Sequence, residues 1–154
     1  MKKNKIKDTG LEVTELSFGT SSLGSMPDTY GYEVPEDRAQ KTLNRFFQGP
    51  VNMLDTSRNY AMGESEKRIG KAIKENGGWP KGFLLSTKLD RNMDTLVLDK
   101  NRARESLDES LKTLNVDSVD ILFLHDPEYA KDITDITKKD GAMDELFKIK
   151  NEGL

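Results

Sequence analysis

Four residues of unlike chemistry stand just past short apolar runs. Asp55 follows Val51-Asn52-Met53-Leu54, Lys88 follows "FLLST", and His125 follows "ILFL". Tyr60 lies five residues beyond Asp55, in "DTSRNYAMGESE". Taken singly, each has an ordinary reading: a turn-forming Asp, a solvated Lys, a hydrogen-bonded loop His. Together they form the set needed for proton delivery by a phenol. Free tyrosine, with a pKa of ~10, is a poor acid or base near neutrality. A neighbouring ammonium favours the phenolate, and a carboxylate beside that ammonium fixes it in place and keeps it charged. An imidazole next to the phenol can orient a carbonyl oxygen. The substrate is then a carbonyl or its alcohol, with a hydride cofactor supplying the redox step.

Such residues meet only if the chain brings successive strand ends to one rim. The apolar runs Leu16–Thr20, Val51–Leu54, Phe83–Thr87 and Ile121–Leu124 read as four strands whose ends lie about 35 residues apart, one βα unit each. Between them run helical stripes: Ala39, Leu43, Phe46 and Phe47 after Pro35; Ile69, Ala72 and Ile73, ended by Asn76-Gly77-Gly78; and Ala103, Leu107, Leu111 and Leu114. Met143, Leu146 and Phe147 mark a fourth helix. The last strand is continuously apolar, as a parallel strand covered on both faces should be. Upstream, Lys5 to Val13 with "DTG" reads as a small hairpin. The order β-α, four times, predicts an α/β fold with a parallel sheet. Four units are half of an eight-fold barrel, and a four-stranded doubly wound sheet is the alternative. In parallel folds the carboxyl ends of strands face the active site, which gathers Asp55, Lys88 and His125 at one mouth with Tyr60 beside them.

Composition narrows the partners. The 154 residues suffice for one domain with a core; 33% are charged and 34% apolar, so much of the surface is solvated helix and loop. A net charge of −3 gives no basic field, which argues against nucleic acid or an anionic membrane as partner. One His and no Cys argue against a metal site and exclude disulfides. "MKKNKIKDTG" leads into no apolar run of signal-peptide length, and no stretch approaches a membrane span, so a cytoplasmic setting is expected. "GTSSLG", Gly19 to Gly24, has neither the Rossmann G-x-G-x-x-G spacing nor a P-loop Lys and reads as a turn.

The motifs resemble those of the aldo-keto reductases. "DTSRNYAMGESEKRIGKAI" is similar to the family's second-strand segment, "LLSTK" to the third, "SLDESLKTLNVDSVDILFLHDPE" to the helix and fourth strand, and "LEVTELSFGT" to the opening strand. "HDPE" further resembles the L-fucose or D-threo-aldose 1-dehydrogenase branch. The resemblance implies that Tyr60 is the general acid for reduction or base for oxidation. It implies that Lys88 tunes the phenol, that Asp55 holds Lys88 and contacts the nicotinamide ribose, and that His125 orients the carbonyl. Gly19, Thr20 and Ser21 are implied to lie with Asp55 along an NADP or NAD cofactor, bound without a Rossmann fold. Gly24–Val34 and Asp126–Asp140 are implied substrate loops, and Trp79 a packing residue at the opposite end.

The family's barrel has eight units and its second half carries most cofactor contacts. Residues 1–154 are therefore expected to be the N-terminal half of such a barrel, with the C-terminal half absent from this chain. That leaves a fragment of an enzyme, a half-barrel closed by another chain, or an inactive scaffold or interaction module retaining the motifs. Each predicts association, with itself or with a missing half, because both sheet edges and apolar interior surface would stand open.

Overall fold

The computed structural model describes residues 1–154. Strands β1 (Lys3–Lys5) and β2 (Glu12–Thr14) form an antiparallel hairpin with Asn4 opposite Val13. Its connection turns through a 3-10 segment, Lys7–Thr9, and Gly10 at φ 77°, where a side chain would be strained. Four parallel strands follow: β3 (Phe18–Gly19), β4 (Met53–Asp55), β5 (Leu84–Leu89) and β6 (Ile121–Leu124). They pair in sequence order, β3-β4-β5-β6. The α/β class, the parallel sheet and the preceding hairpin are as the sequence predicts.

The helices are α1 (Pro27–Tyr30), α2 (Glu36–Phe47), α3 (Glu64–Glu75), α4 (Lys100–Leu114), α5 (Thr134–Thr137) and α6 (Ala142–Glu152). Pro35 sits at the N-cap of α2, and Glu36 and Asp37 in its first turn complement the helix dipole. Ala39, Leu43 and Phe46 are its buried face. Asp99 caps α4 by accepting from the Arg102 N–H at 2.9 Å. Helices α3 and α4 touch backbone to backbone: a Cβ on Gly70 would lie 1.9 Å from the Thr113 carbonyl oxygen. One core joins Leu43, Leu54, Ile69, Ile73, Leu85 and Leu114 beneath β3 to β5. A second joins Leu89, Leu98, Leu107, Ile136 and Ile149 under β6 and the last helices. Each fully buried aliphatic side chain contributes roughly 1.5–3 kcal/mol.

Strand β6 is an edge, as half a barrel predicts, so its apolar run is only half covered and Phe123 is 49% exposed. One detail differs from the sequence reading. Helix α6 turns Ala142, Glu145 and Ile149 inwards rather than Met143 and Phe147, which are 42% and 55% exposed. The reason is Arg104 of α4, whose guanidinium pairs with Glu145 at 2.6 Å and with Glu152 at 2.7 Å and so fixes which face of α6 meets α4. Trp79 packs as expected, edge-on to Phe47 and Phe83, its indole N–H donating to the Phe83 carbonyl at 3.2 Å. No helix is long and apolar enough to cross a membrane.

Candidate active site

Register builds the first half of the site. Asp55 ends β4 opposite Ser86 of β5, and Lys88 lies two residues further along the same strand, hence on the same face. The Ser86 hydroxyl donates to Asp55 Oδ1 at 2.9 Å. Lys88 Nζ donates to Asp55 Oδ2 and to the Thr56 carbonyl, each at 2.7 Å. Those two bonds use two of the three ammonium donors. The side chains of Lys88 and Asp55 are 13% and 27% exposed, so water screens the pair less than it would a surface salt bridge.

Tyr60 opens a 3-10 turn, Tyr60–Gly63, in the loop after β4. The two residues behind it are left-handed although they carry side chains: Ala61 at φ 50° and Met62 at φ 53°. The loop after β3 presses against this turn at Gly24, where a Cβ would fall 2.3 Å from that of Ala61. The ammonium of Lys88 lies over the Tyr60 ring face, 4.7 Å from its centroid, while its hydrogen bonds go to Asp55 and Thr56. His125 meets the same ring edge-on, with centroids 5.6 Å apart. All four residues expected from the sequence therefore converge at one rim, the ammonium facing the π-face of the phenol.

The sequence reading missed what lies beneath His125. Asp90 is fully buried, and its Oδ1 is hydrogen-bonded to His125 Nδ1. Its Oδ2 accepts from the Ser57 hydroxyl at 2.8 Å and from the Asn59 N–H at 3.2 Å. Ser57 Oγ is also 3.0 Å from His125 Nδ1. The Ser106 hydroxyl accepts from the Asp90 N–H at 2.8 Å, and Arg102 Nε donates to the Asp90 carbonyl at 3.1 Å. The signal was available: Ser86, Lys88 and Asp90 alternate, so Asp90 continues the face that carries the site.

A second overlooked acid is Glu66, which stands with Ile69 and Ile73 on the buried stripe of α3. Burial raises its pKa to about 7, against the lowering effect of the Thr87 hydroxyl, which donates to Oε1 at 2.7 Å. The Ser110 hydroxyl lowers it too, although its oxygen, like Glu66 Oε2, forms no hydrogen bond. The charge of Asp90 raises it further and that of Arg58 lowers it.

Of the residues beside β3, Gly19 lies opposite Asp55 and has open space where a Cβ would project. Thr20 uses its polar groups internally: its N–H and hydroxyl donate to the Asp55 carbonyl, and its own carbonyl accepts from Ser65. Ser21 accepts from the Tyr30 hydroxyl at 2.8 Å.

Comparison with known proteins finds relatives of one family over nearly the whole chain. Residues 15–154 match the profile of the Aldo/keto reductase family. L-galactose dehydrogenase from Arabidopsis thaliana is 36% identical over 146 residues, 95% of this chain and 44% of that protein. Aldo-keto reductase YhdN from Bacillus subtilis (strain 168) is 33% identical over 131 residues, 83% of this chain and 39% of that protein. The solved aldo-keto reductase AKR11C1 from Bacillus halodurans, in its holo form, superposes with a TM-score of 0.72 at 26% identity, covering 99% of this chain and 47% of that one. The chain thus spans less than half the length of each of these relatives. It belongs to the Aldo/keto reductase family.

Proposed function

We propose that this rim is the acid–base centre of an NAD(P)-dependent oxidoreductase that interconverts a carbonyl and its alcohol. The observation that carries the reading is the Lys88–Asp55 pair at 2.7 Å, with the ammonium 4.7 Å from the Tyr60 ring centroid and His125 edge-on to the same ring. Tyr60 gives a proton to the carbonyl oxygen in reduction and takes one from the hydroxyl in oxidation. Lys88, held by Asp55 and Thr56, lends its charge to the phenolate form. His125 holds the substrate oxygen.

The open space at Gly19, level with Asp55, suits the edge of a nicotinamide, with Ser21 beside it and Thr20 bracing the loop. A bound NADP or NAD would supply or accept the hydride. An aldose or other sugar is the favoured substrate class, on the likeness to L-galactose dehydrogenase. The protein acts in the cytoplasm. We place residues 1–154 as the N-terminal half of a (β/α)8 barrel that closes on a second half or a second copy. The open edges β3 and β6 and the exposed Phe123, Met143 and Phe147 support this.

The test is nucleotide fluorescence on titrating NADPH and NADH, with turnover measured on aldehydes and aldoses in both directions. Saturable binding, and turnover that falls at least a hundredfold in Tyr60→Phe, is the expected result. Equal turnover in the wild type and in Tyr60→Phe overturns the role given to Tyr60.

A further inference from the structure

We infer that Asp90, with Ser57, is a positioning residue that fixes His125 as its Nδ1–H tautomer and so dictates what Nε2 offers a substrate. Its catalytic consequence rests on the proposed role of His125; the tautomer itself does not.

The argument is a count of protons. The Ser57 hydroxyl has one proton, and it goes to Asp90 Oδ2 at 2.8 Å; towards His125 Nδ1, 3.0 Å away, Ser57 can only accept. Asp90 Oδ2 already takes that proton and the Asn59 N–H. Its Oδ1 faces Nδ1 as a carboxylate oxygen, again an acceptor. Both neighbours of Nδ1 are therefore acceptors, and the ring proton belongs on Nδ1. The Asp90 side chain has no freedom to change partners. Asp90 is fully buried, and its backbone N–H and carbonyl are bound to Ser106 Oγ and Arg102 Nε, which anchors the carboxylate where it stands.

A neutral His125 then presents a lone pair, and no N–H, at Nε2. Only the imidazolium presents an N–H there, suited to hold a carbonyl oxygen. The charged and titratable groups around this couple are Asp126, with Oδ2 3.8 Å from Nε2, and Tyr60 on the imidazole; Arg102 and Glu66 face Asp90, and Lys88 lies beyond Tyr60.

D90N reverses this by the same count. The Ser57 hydroxyl and the Asn59 N–H require a carbonyl oxygen where Oδ2 now sits, which turns the new amide NH2 towards Nδ1. The ring proton moves to Nε2, and a neutral His125 becomes a donor.

His125 is the one histidine in the chain, so its ring nitrogens can be read directly by 15N-correlated NMR without a variant. The Nδ1–H form in wild type and in S57A, with the Nε2–H form in D90N, is the expected result. An Nε2–H wild type overturns the assignment even if D90N fails to fold, and so does an Nδ1–H signal that persists in folded D90N. A wild-type protein that shows Nδ1–H but, with its barrel closed by the second half, turns over no carbonyl or alcohol supports the tautomer assignment and sinks the enzymatic reading alone.

Discussion

At the rim where the strands end, the molecule buries charge: Asp90 and Glu66 are fully enclosed, and Lys88 is nearly so beside Asp55. At the opposite end it buries rings and one amide. Phe46 stacks on Phe18 at 5.2 Å and meets Phe83 edge-on at 5.3 Å, while Asn52 ties the sheet to the hairpin through Thr14 N and Glu12 O. Aromatic burial stabilises without regard to pH. Enclosed acids cost stability unless every lone pair is met, and are kept where their chemistry is used. The contrast separates a holding end from a working end, and substitutions in each should act on different measurements.

The largest effect belongs at the working end. Tyr60→Phe should lower turnover by about 10³-fold, within the usual range for a positioned acid, with the thermal midpoint unchanged. Steady-state kinetics beside a thermal melt checks this, and a fall in stability instead would blur the contrast. Phe46→Ala, at the holding end, should cost about 3–5 kcal/mol in urea unfolding while turnover per folded molecule stays constant.

Glu66→Gln tests whether the enclosed acid is paid for in stability. Its folded pKa of about 7 exceeds the ordinary 4.5, so the native state keeps a proton that the unfolded chain has released across that window. Wild-type stability should therefore fall as pH rises from 4.5 to 7, by roughly 3 kcal/mol, and level off above. The variant should lose that slope in unfolding curves taken across the range. The smallest effect is Phe147→Ser on the exposed face of α6, within about 0.5 kcal/mol of wild type. Its readout is sedimentation, where the concentration dependence of the wild type should weaken.

Periodicity and spacing were enough for the four βα units, the hairpin and the rim that gathers Asp55, Tyr60, Lys88 and His125. An acid placed one alternation beyond a strand's apolar run, like Asp90, looks like loop until the strand's length is known. Strand β5 runs to Leu89, two residues past the expected Thr87, and that extension is what directs Asp90 inwards. Ser57 passes for a turn former because its role depends on a partner 33 residues away. The face of α6 was misread because apolar spacing cannot tell a side packed on α4 from one left exposed, and the choice was made by the ion pairs of Arg104.

Ala61 and Met62 each hold a left-handed backbone that costs on the order of 1–2 kcal/mol for a residue with a side chain. Glycine at either position would relax the turn and make the fold harder to melt. It would also give the phenol behind it a wider arc to wander. Thermal tolerance and fidelity of aim thus pull against each other at this corner, and a screen for heat resistance alone would select the looser hand.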